Sequence, residues 1–263
     1  CIRDSVDIVA QSGWSRGLNS ENDAIGAGYS GLRNVIYQKR SIFGQNIKYF
    51  SSSHERSHLL CGYGLSPYPQ GQPCYALLWE GHFGAFYRID ENVNITKLGC
   101  ALENPGDRFA FLYALADPTF TLGAGQIRLS DAGKLMALAA YGKNGDIDED
   151  ARHIITTLLD NNLNFRKLHK RLFQNNIYYN IGLDDPRLAT LAHHLSNAIF
   201  NLFRDFVQEI VFDRAPLLIV GGCGLNCDWN SKWIETQLFT DVFIPPCTND
   251  SGSAIAVSYT HLT

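Results

Sequence analysis

Six consecutive apolar residues, Cys-Tyr-Ala-Leu-Leu-Trp at 74–79, narrow most what this chain can fold into. A half-buried strand alternates apolar and polar side chains, so a run without alternation belongs to a strand covered on both faces. Pro-Leu-Leu-Ile-Val at 216–220 repeats the pattern. After the first run, residues 80–84 turn the chain, 85–89 return it, and 95–98 supply a third strand, which makes a meander. Pro67, Pro69, Gly71 and Pro73 cluster just before it and mark the end of one unit and the start of another.

Between the two runs the periodicity is helical. Helices are expected over 107–116, over 131–141 with Gly142 as a stop, and over 148–159 with an acidic start that complements the helix dipole. Residues 160–184 are rich in asparagine without a clear period and read as loop with short helix. Asp185-Pro186 opens the longest amphipathic run, with Leu188, Leu191, Ala192, Leu195, Ile199, Leu202, Phe203, Phe206 and Ile210 on one face. His193 and His194 lie within it at adjacent positions, which cannot converge on one ion, so both read as structural or solvated. After 216–220 follow a tight turn at 221–226, a helix over 227–238, a strand over 241–246 and another helix beyond Asp250. Upstream, 8–10 and 47–50 read as short strands, and 22–37, within a wider 16–40 segment, as a polar, glycine-bearing loop suited to meeting a partner or substrate.

The chemistry concentrates at turns. Ser-Ser-Ser-His-Glu-Arg-Ser-His at 51–58 suits a serine-capped helix start that sets His54 and His58 one turn apart on one face. Two imidazoles at that spacing can reach a common cation, with oxygen ligands from elsewhere completing the site; a solvated or hydrogen-bonded pair is the commoner outcome of H-x-x-x-H taken alone. At 80–84, Gly81 and Gly84 allow backbone N–H groups close to an anion and Glu80 can meet a cation or hydroxyl, although an ordinary hairpin accounts for the glycines as well. Gly221, Gly222 and Asn226 lie in a strand-to-helix turn of the kind nucleotides use, without the spacing of a dinucleotide fingerprint or a P-loop. Asp250 sits at a strand end, placed either to cap the next helix or to act as a ligand.

Composition excludes less than these patterns include. The 263 residues are 45% hydrophobic, enough for one large domain or two lobes. A formal charge of -4 and a pI near 6.1 give no basic footprint for nucleic acid. No apolar run approaches the ~20 residues of a membrane span. Seven cysteines without a C-x-x-C pair read as reduced core thiols of a cytoplasmic protein.

Five segments in order resemble the successive signatures of one family. They are Ser-His-Glu-Arg-Ser-His at 53–58, Leu-Trp-Glu-Gly-His-Phe-Gly at 78–84, Gly-Lys-Leu-Met-Ala-Leu-Ala-Ala-Tyr-Gly at 133–142, Gly-Gly-Cys-Gly-Leu-Asn-Cys-Asp-Trp-Asn at 221–230 and Pro-Pro-Cys-Thr-Asn-Asp-Ser-Gly-Ser-Ala at 245–254. Together they resemble the carbamoyltransferases that include nodulation protein U and the cephem and tobramycin O-carbamoyltransferases, over nearly the whole chain. The resemblance implies an α/β fold of the actin and sugar-kinase type, built from duplicated ribonuclease-H-like lobes. On it, 1–72 is a partial first lobe lacking its opening strands and 73–257 a second lobe with a helical insertion; residues 258–263 break the helix-like pattern before them and read as a non-native tail.

The function implied is O-carbamoylation: carbamoyl phosphate and ATP give a carbamoyl-adenylate, whose carbamoyl group passes to a hydroxyl-bearing small molecule. A C-terminal adenylate-forming domain of the intact protein is the implied partner. By the family pattern His54, His58 and Asp250 match ligands of a divalent metal, which iron, manganese or zinc all suit. Glu80 stands where many members carry aspartate; it keeps the charge on a longer arm and is assigned a catalytic role with the two histidines. Gly81, Gly84, Lys134, Gly221, Gly222 and Asn226 are the implied nucleotide and phosphate contacts. Two other readings are a threonylcarbamoyl transferase acting on tRNA, which shares paired histidines but usually reads Ser-Gly-Gly-His-Thr at the second-lobe turn, and a non-catalytic nucleotide-binding module.

Overall fold

The computed structural model describes residues 6–15, 24–42 and 44–262. In chain order its first strands are β1 (Ile8–Ser12), the small antiparallel pair β2 (Trp14–Ser15) and β3 (Ala24–Ile25), then β4 (Val35–Ile42) and β5 (Gln45–Ser52). β5 lies in the middle of a three-stranded sheet, parallel to β1 and antiparallel to β4. β4 corrects the expected loop at 16–40, of which residues 16–23 lie outside the described range. None of its side chains is buried, so no alternation betrays it. Its register with β5, from Val35 opposite Ser52 to Ile42 opposite Gln45, makes it a strand, and the Arg40 guanidinium sits 3.8 Å over the Tyr49 ring across the pair.

Helix α1 (His54–Leu65) begins as the serine run predicts, with the Ser53 hydroxyl accepting from the Arg56 N–H. Nine of its residues are buried, which fits a helix enclosed on several sides. Leu59 and Tyr63 face the next sheet, and at Gly62 a Cβ would collide with Val220, so only glycine lets α1 settle this deeply.

That second sheet holds β6 (Cys74–Trp79), β7 (Gly84–Ile89) and β8 (Ile95–Cys100) as the expected meander. The helices α2 (Pro105–Ala116), α3 (Leu129–Ala139), α4 (Glu149–Leu159) and α5 (Pro186–Ile210) follow, then β9 (Leu217–Val220), α6 (Cys227–Glu235), β10 (Val242–Phe243) and α7 (Asp250–Leu262). The strand order is β10-β9-β6-β7-β8, with β6, β9 and β10 mutually parallel. Alternate side chains divide between two cores. Tyr75, Leu77, Trp79, Phe86, Leu217 and Ile219 face the helices, where Trp79 stacks on Trp229 at 4.4 Å; Cys74, Ala76, Leu78, Tyr87, Leu218 and Val220 face α1. Burying each large side chain contributes about 1.5–3 kcal/mol. α7 packs beside α1 and reaches β1 and β5, which joins the two sheets.

Several boundaries differ from the sequence reading; α3 runs from Leu129 to Ala139, two residues earlier at each end than expected, so Gly142 is not its stop. α6 stops at Glu235, and β10, an edge strand that pairs among the described residues with β9, is two residues long. The backbone of α7 stays helical to Leu262, past the pattern break at 258. Residues 160–184 form two short 3-10 turns, as their lack of period suggests, and His193 is held by Ala139 O and Asn144, the structural role expected. Of the cysteines in the described range all are free, but Cys100 and Cys227 are exposed, not core thiols; Cys1 lies outside that range. Among the described residues no helix is long and apolar enough to cross a membrane.

Candidate metal centre

The capped start of α1 delivers two histidines to one point: His54 Nε2 and His58 Nε2 are 3.1 Å apart. Glu80 leaves the end of β6 and points at the same spot, its Oε2 lying 3.3 Å from His54 Nε2 and 3.2 Å from His58 Nε2. Asp250, first residue of α7, brings Oδ1 to 3.2 Å from His58 and 3.6 Å from His54. One donor atom from each of the four residues lies within 4.8 Å of every other. The place is physically apt. β6, β9 and β10 run parallel, so the loops after them and the helix N-termini that follow gather at one sheet edge. The Gly221 N–H donates to Thr248 O at 2.8 Å, tying the loop after β9 to the loop that carries Asp250.

Do these residues fit a cation? Ligand bonds of about 2.0–2.1 Å in a tetrahedron put donors roughly 3.3 Å apart, close to the 3.1–3.6 Å separations here. Two ring nitrogens and two carboxylate oxygens aimed at one centre cannot all be satisfied by the one proton between any pair, whereas a cation serves all four. The two rings and Glu80 are buried, while the Asp250 side chain is 61% exposed, so the site is closed on three sides and open on the fourth. Burial disfavours a charged His58 ring, but its hydrogen bonds to Asp250 and Glu80 outweigh this and push it up to about 9. Burial likewise opposes a charged Glu80, and the two histidines overcome it and hold the carboxyl well below the usual range. A cation held here would compete with the His58 proton.

Glu80 therefore belongs to the four-residue cluster and is not merely beside it. Its longer arm is accommodated because the backbone approaches from the end of β6 and because Tyr29 takes the other carboxylate oxygen, its phenol donating to Glu80 Oε1 at 2.6 Å. Sequence reasoning missed Tyr29. The only hint was its setting, Gly-Ala-Gly-Tyr-Ser-Gly at 26–31, a glycine-spaced segment with nothing to link it to a helix 25 residues on. That loop caps α1: the His54 and Glu55 N–H groups donate to Gly28 O and Tyr29 O, the Ser53 hydroxyl to Gly31 O, and Gly31 N–H returns a bond to Glu55 Oε2. The result is a Tyr29 ring stacked on His54 at 4.6 Å and on Phe83 at 5.2 Å, with Trp14 edge-on to His54 at 4.4 Å. His82, also missed, keeps a 3.1 Å contact from Nδ1 to Asp107 Oδ2, and Asp107 draws its ring above the usual range against the effect of burial.

The expected nucleotide contacts separate into two groups. Gly221 has φ +97° and a Cβ there would come within 2.5 Å of Trp79 O; Gly84 is hemmed in by Leu102 O and Phe203, and Gly81 by Asp107. The fold itself accounts for these three. Asn226 caps α6 by accepting from the Asp228 and Trp229 N–H groups. At Gly222 a Cβ would meet nothing within 4 Å, so this position alone of the turn offers bare backbone to open space. Lys134 is bound to the buried Asp131 at 3.2 Å and lies over Tyr113, partners within the helical layer and outside the four-residue cluster.

A family model described as Carbamoyltransferase N-terminus matches residues 31–258. The chain is 41% identical over 257 residues to a 3'-hydroxymethylcephem-O-carbamoyltransferase of Amycolatopsis lactamdurans, covering 98% of this chain and 49% of the relative. It is 39% identical over 258 residues, with the same shares, to the protein of that description from Streptomyces clavuligerus. With Nodulation protein U of Bradyrhizobium diazoefficiens it shares 28% identity over 82% of this chain and 41% of that one. The chain thus spans about half the length of the curated relatives it matches most fully. Among solved structures, an activator of 2-hydroxyisocaproyl-CoA dehydratase from Clostridium difficile with bound ADPNP overlaps 80% of this chain and 66% of its own at TM-score 0.46 and 12% identity, too slight a likeness to place the fold. Matched by its family model over most of its length, the chain belongs to the carbamoyltransferase family, in the N-terminal part of those proteins.

Proposed function

We propose that this chain supplies the transferase centre of an O-carbamoyltransferase acting on a hydroxyl-bearing small molecule. The observation that carries the reading is the convergence of His54, His58, Glu80 and Asp250 in a chain 41% identical to a protein named for carbamoyl transfer to a hydroxymethyl group. In this reading the four residues hold one divalent cation, and Asp250 marks the open side from which substrate arrives. When bound, the cation polarises a carbonyl and offsets phosphate charge. The donor is a carbamoyl-adenylate made from carbamoyl phosphate and ATP by the C-terminal adenylate-forming domain that the family pattern implies. In the transfer the acceptor oxygen bonds to the carbamoyl carbon, that carbon's bond to the adenylate phosphate oxygen breaks, AMP leaves and the hydroxyl proton passes to water. The bare backbone at Gly222 is the proposed approach for the nucleotide, with Gly81, Gly84, Gly221 and Asn226 shaping the turns around it.

The strand order β8-β7-β6-β9-β10 supports reading the larger sheet as one ribonuclease-H-like lobe with α3 and α4 in its helical insertion, and the three-stranded sheet as part of a second. The test is twofold. Elemental analysis of the chain should find about one divalent metal, as one ligand set implies, and near none in the His54→Ala/His58→Ala double variant. Mass spectrometry of candidate alcohols incubated with carbamoyl phosphate, ATP and the intact protein should show a carbamate in the wild type only. Metal content unchanged in the double variant would move the site elsewhere; no carbamate from any hydroxyl acceptor would remove the activity.

A further inference from the structure

The four-donor cluster leaves one question of geometry: why Glu80, with two oxygens and a flexible arm, offers only one of them. Its Oε2 faces both histidines, at 3.2 and 3.3 Å, while Oε1 is taken by the Tyr29 phenol at 2.6 Å. The same tyrosine covers the face of His54 at an interplanar angle of 15°. His54 needs such a support, because its Nδ1 is buried without a hydrogen-bond partner, whereas a ligating histidine is ordinarily fixed through a hydrogen bond from that second nitrogen. Tyr29 is itself held from behind. Phe83 stacks on its ring at 5.2 Å, and its backbone is anchored by Glu55 N–H donating to Tyr29 O. Glu55 in turn is fixed by the Tyr87 hydroxyl at 2.7 Å and by Gly31 N–H, so the arrangement is built into the two-sheet junction and not left to a free loop.

We propose that Tyr29 is a positioning residue of the metal centre: it makes Glu80 a one-oxygen ligand and sets the plane of the His54 ring. The inference rests on the metal reading above and goes beyond it, since Tyr29 belongs to none of the five family-like segments and offers no atom to the cation. A phenol donating to the outer oxygen of a ligating carboxylate fixes its orientation; without it the freed oxygen turns inward and adds a fifth donor. Because the stack and the hydrogen bond come from one side chain, phenylalanine separates them.

Cobalt(II) titration read by visible absorption tests this in the purified chain, with Tyr29→Phe beside the wild type and circular dichroism to confirm that both are folded. The wild type should take up one equivalent with the intense bands of a four-coordinate ion. Tyr29→Phe should bind the same equivalent about 10- to 100-fold more weakly, as loss of an outer partner does, with weaker bands typical of a higher coordination number. An unchanged affinity and spectrum in Tyr29→Phe overturns the positioning role while leaving the metal site standing. No cobalt uptake by the wild type overturns the metal reading and this inference with it. Should Tyr29→Phe fail to fold, 3-fluorotyrosine placed at position 29 carries the test: its fluorine resonance should move on addition of one equivalent of zinc(II), and an unmoved resonance in zinc-loaded protein overturns the proposal.

Discussion

In the five-stranded sheet every side chain of β6 is buried, and its two faces feed separate cores; in the three-stranded sheet β4 has no buried side chain and β1 is only half-covered. Both sheets contribute to the cluster, since β5 leads into the histidine helix and β6 ends at Glu80. The difference teaches how the centre is supported. One half of it is braced by packing on both sides of a sheet, the other by a capping loop, a helix pair and the hydrogen bonds around Tyr29. Burial of the first kind is worth kilocalories per side chain, whereas strand pairing with one face in water contributes tenths.

The largest expected effect therefore comes from the larger sheet. Trp79→Ala, which removes a fully buried ring stacked on Trp229, should cost about 3–5 kcal/mol in denaturant unfolding, while Val35→Ala on β4, with Val35 48% exposed, should stay within about 0.5 kcal/mol. Comparable losses at the two positions would mean that the sheets are equally supported. Thiol labelling of the native protein asks the same question by rate. Among the cysteines of the described range, Cys227 is exposed and should react first, ahead of Cys100, whose thiol is pushed up by burial against the effect of Lys97. Burial pushes the Cys74 thiol up to about 12, with Arg88 opposing weakly, and burial together with Cys247 does the same for Cys61, so each must wait for local opening. Cys61, held between two helices, should then label before Cys74 inside the sheet; the reverse order, read by peptide mass spectrometry, would invert the comparison.

The smallest effect on stability is expected at Gly222, where an added side chain enters open space. Gly222→Val should leave the melting temperature within a degree or two, as a change of a few tenths of a kcal/mol implies, yet weaken ATP binding measured by calorimetry in the intact protein. Unchanged ATP affinity would remove the turn from the nucleotide site.

The parts of this molecule that the amino-acid order determined by itself are those whose physics is local. The unbroken apolar run at 74–79 and its echo at 216–220 demanded strands covered on both faces; the serine cap set His54 and His58 one turn apart; Asp185-Pro186 opened the long helix. β4 escaped notice because pairing, not burial, makes it a strand, and pairing leaves no periodic trace. The centre itself depended on contacts across the chain. Asp250 meets His58 over 192 residues, and whether it caps a helix or faces a cation is undecided by its neighbours in sequence. Glu80's reach, Tyr29's place on His54 and the different settings of Gly221 and Gly222 in one glycine turn came only with the tertiary structure, because each depends on which backbone lies opposite. Local sequence sets the direction in which a side chain leaves its element; only the packing of α1, α7 and the two sheets brings four such directions to one point.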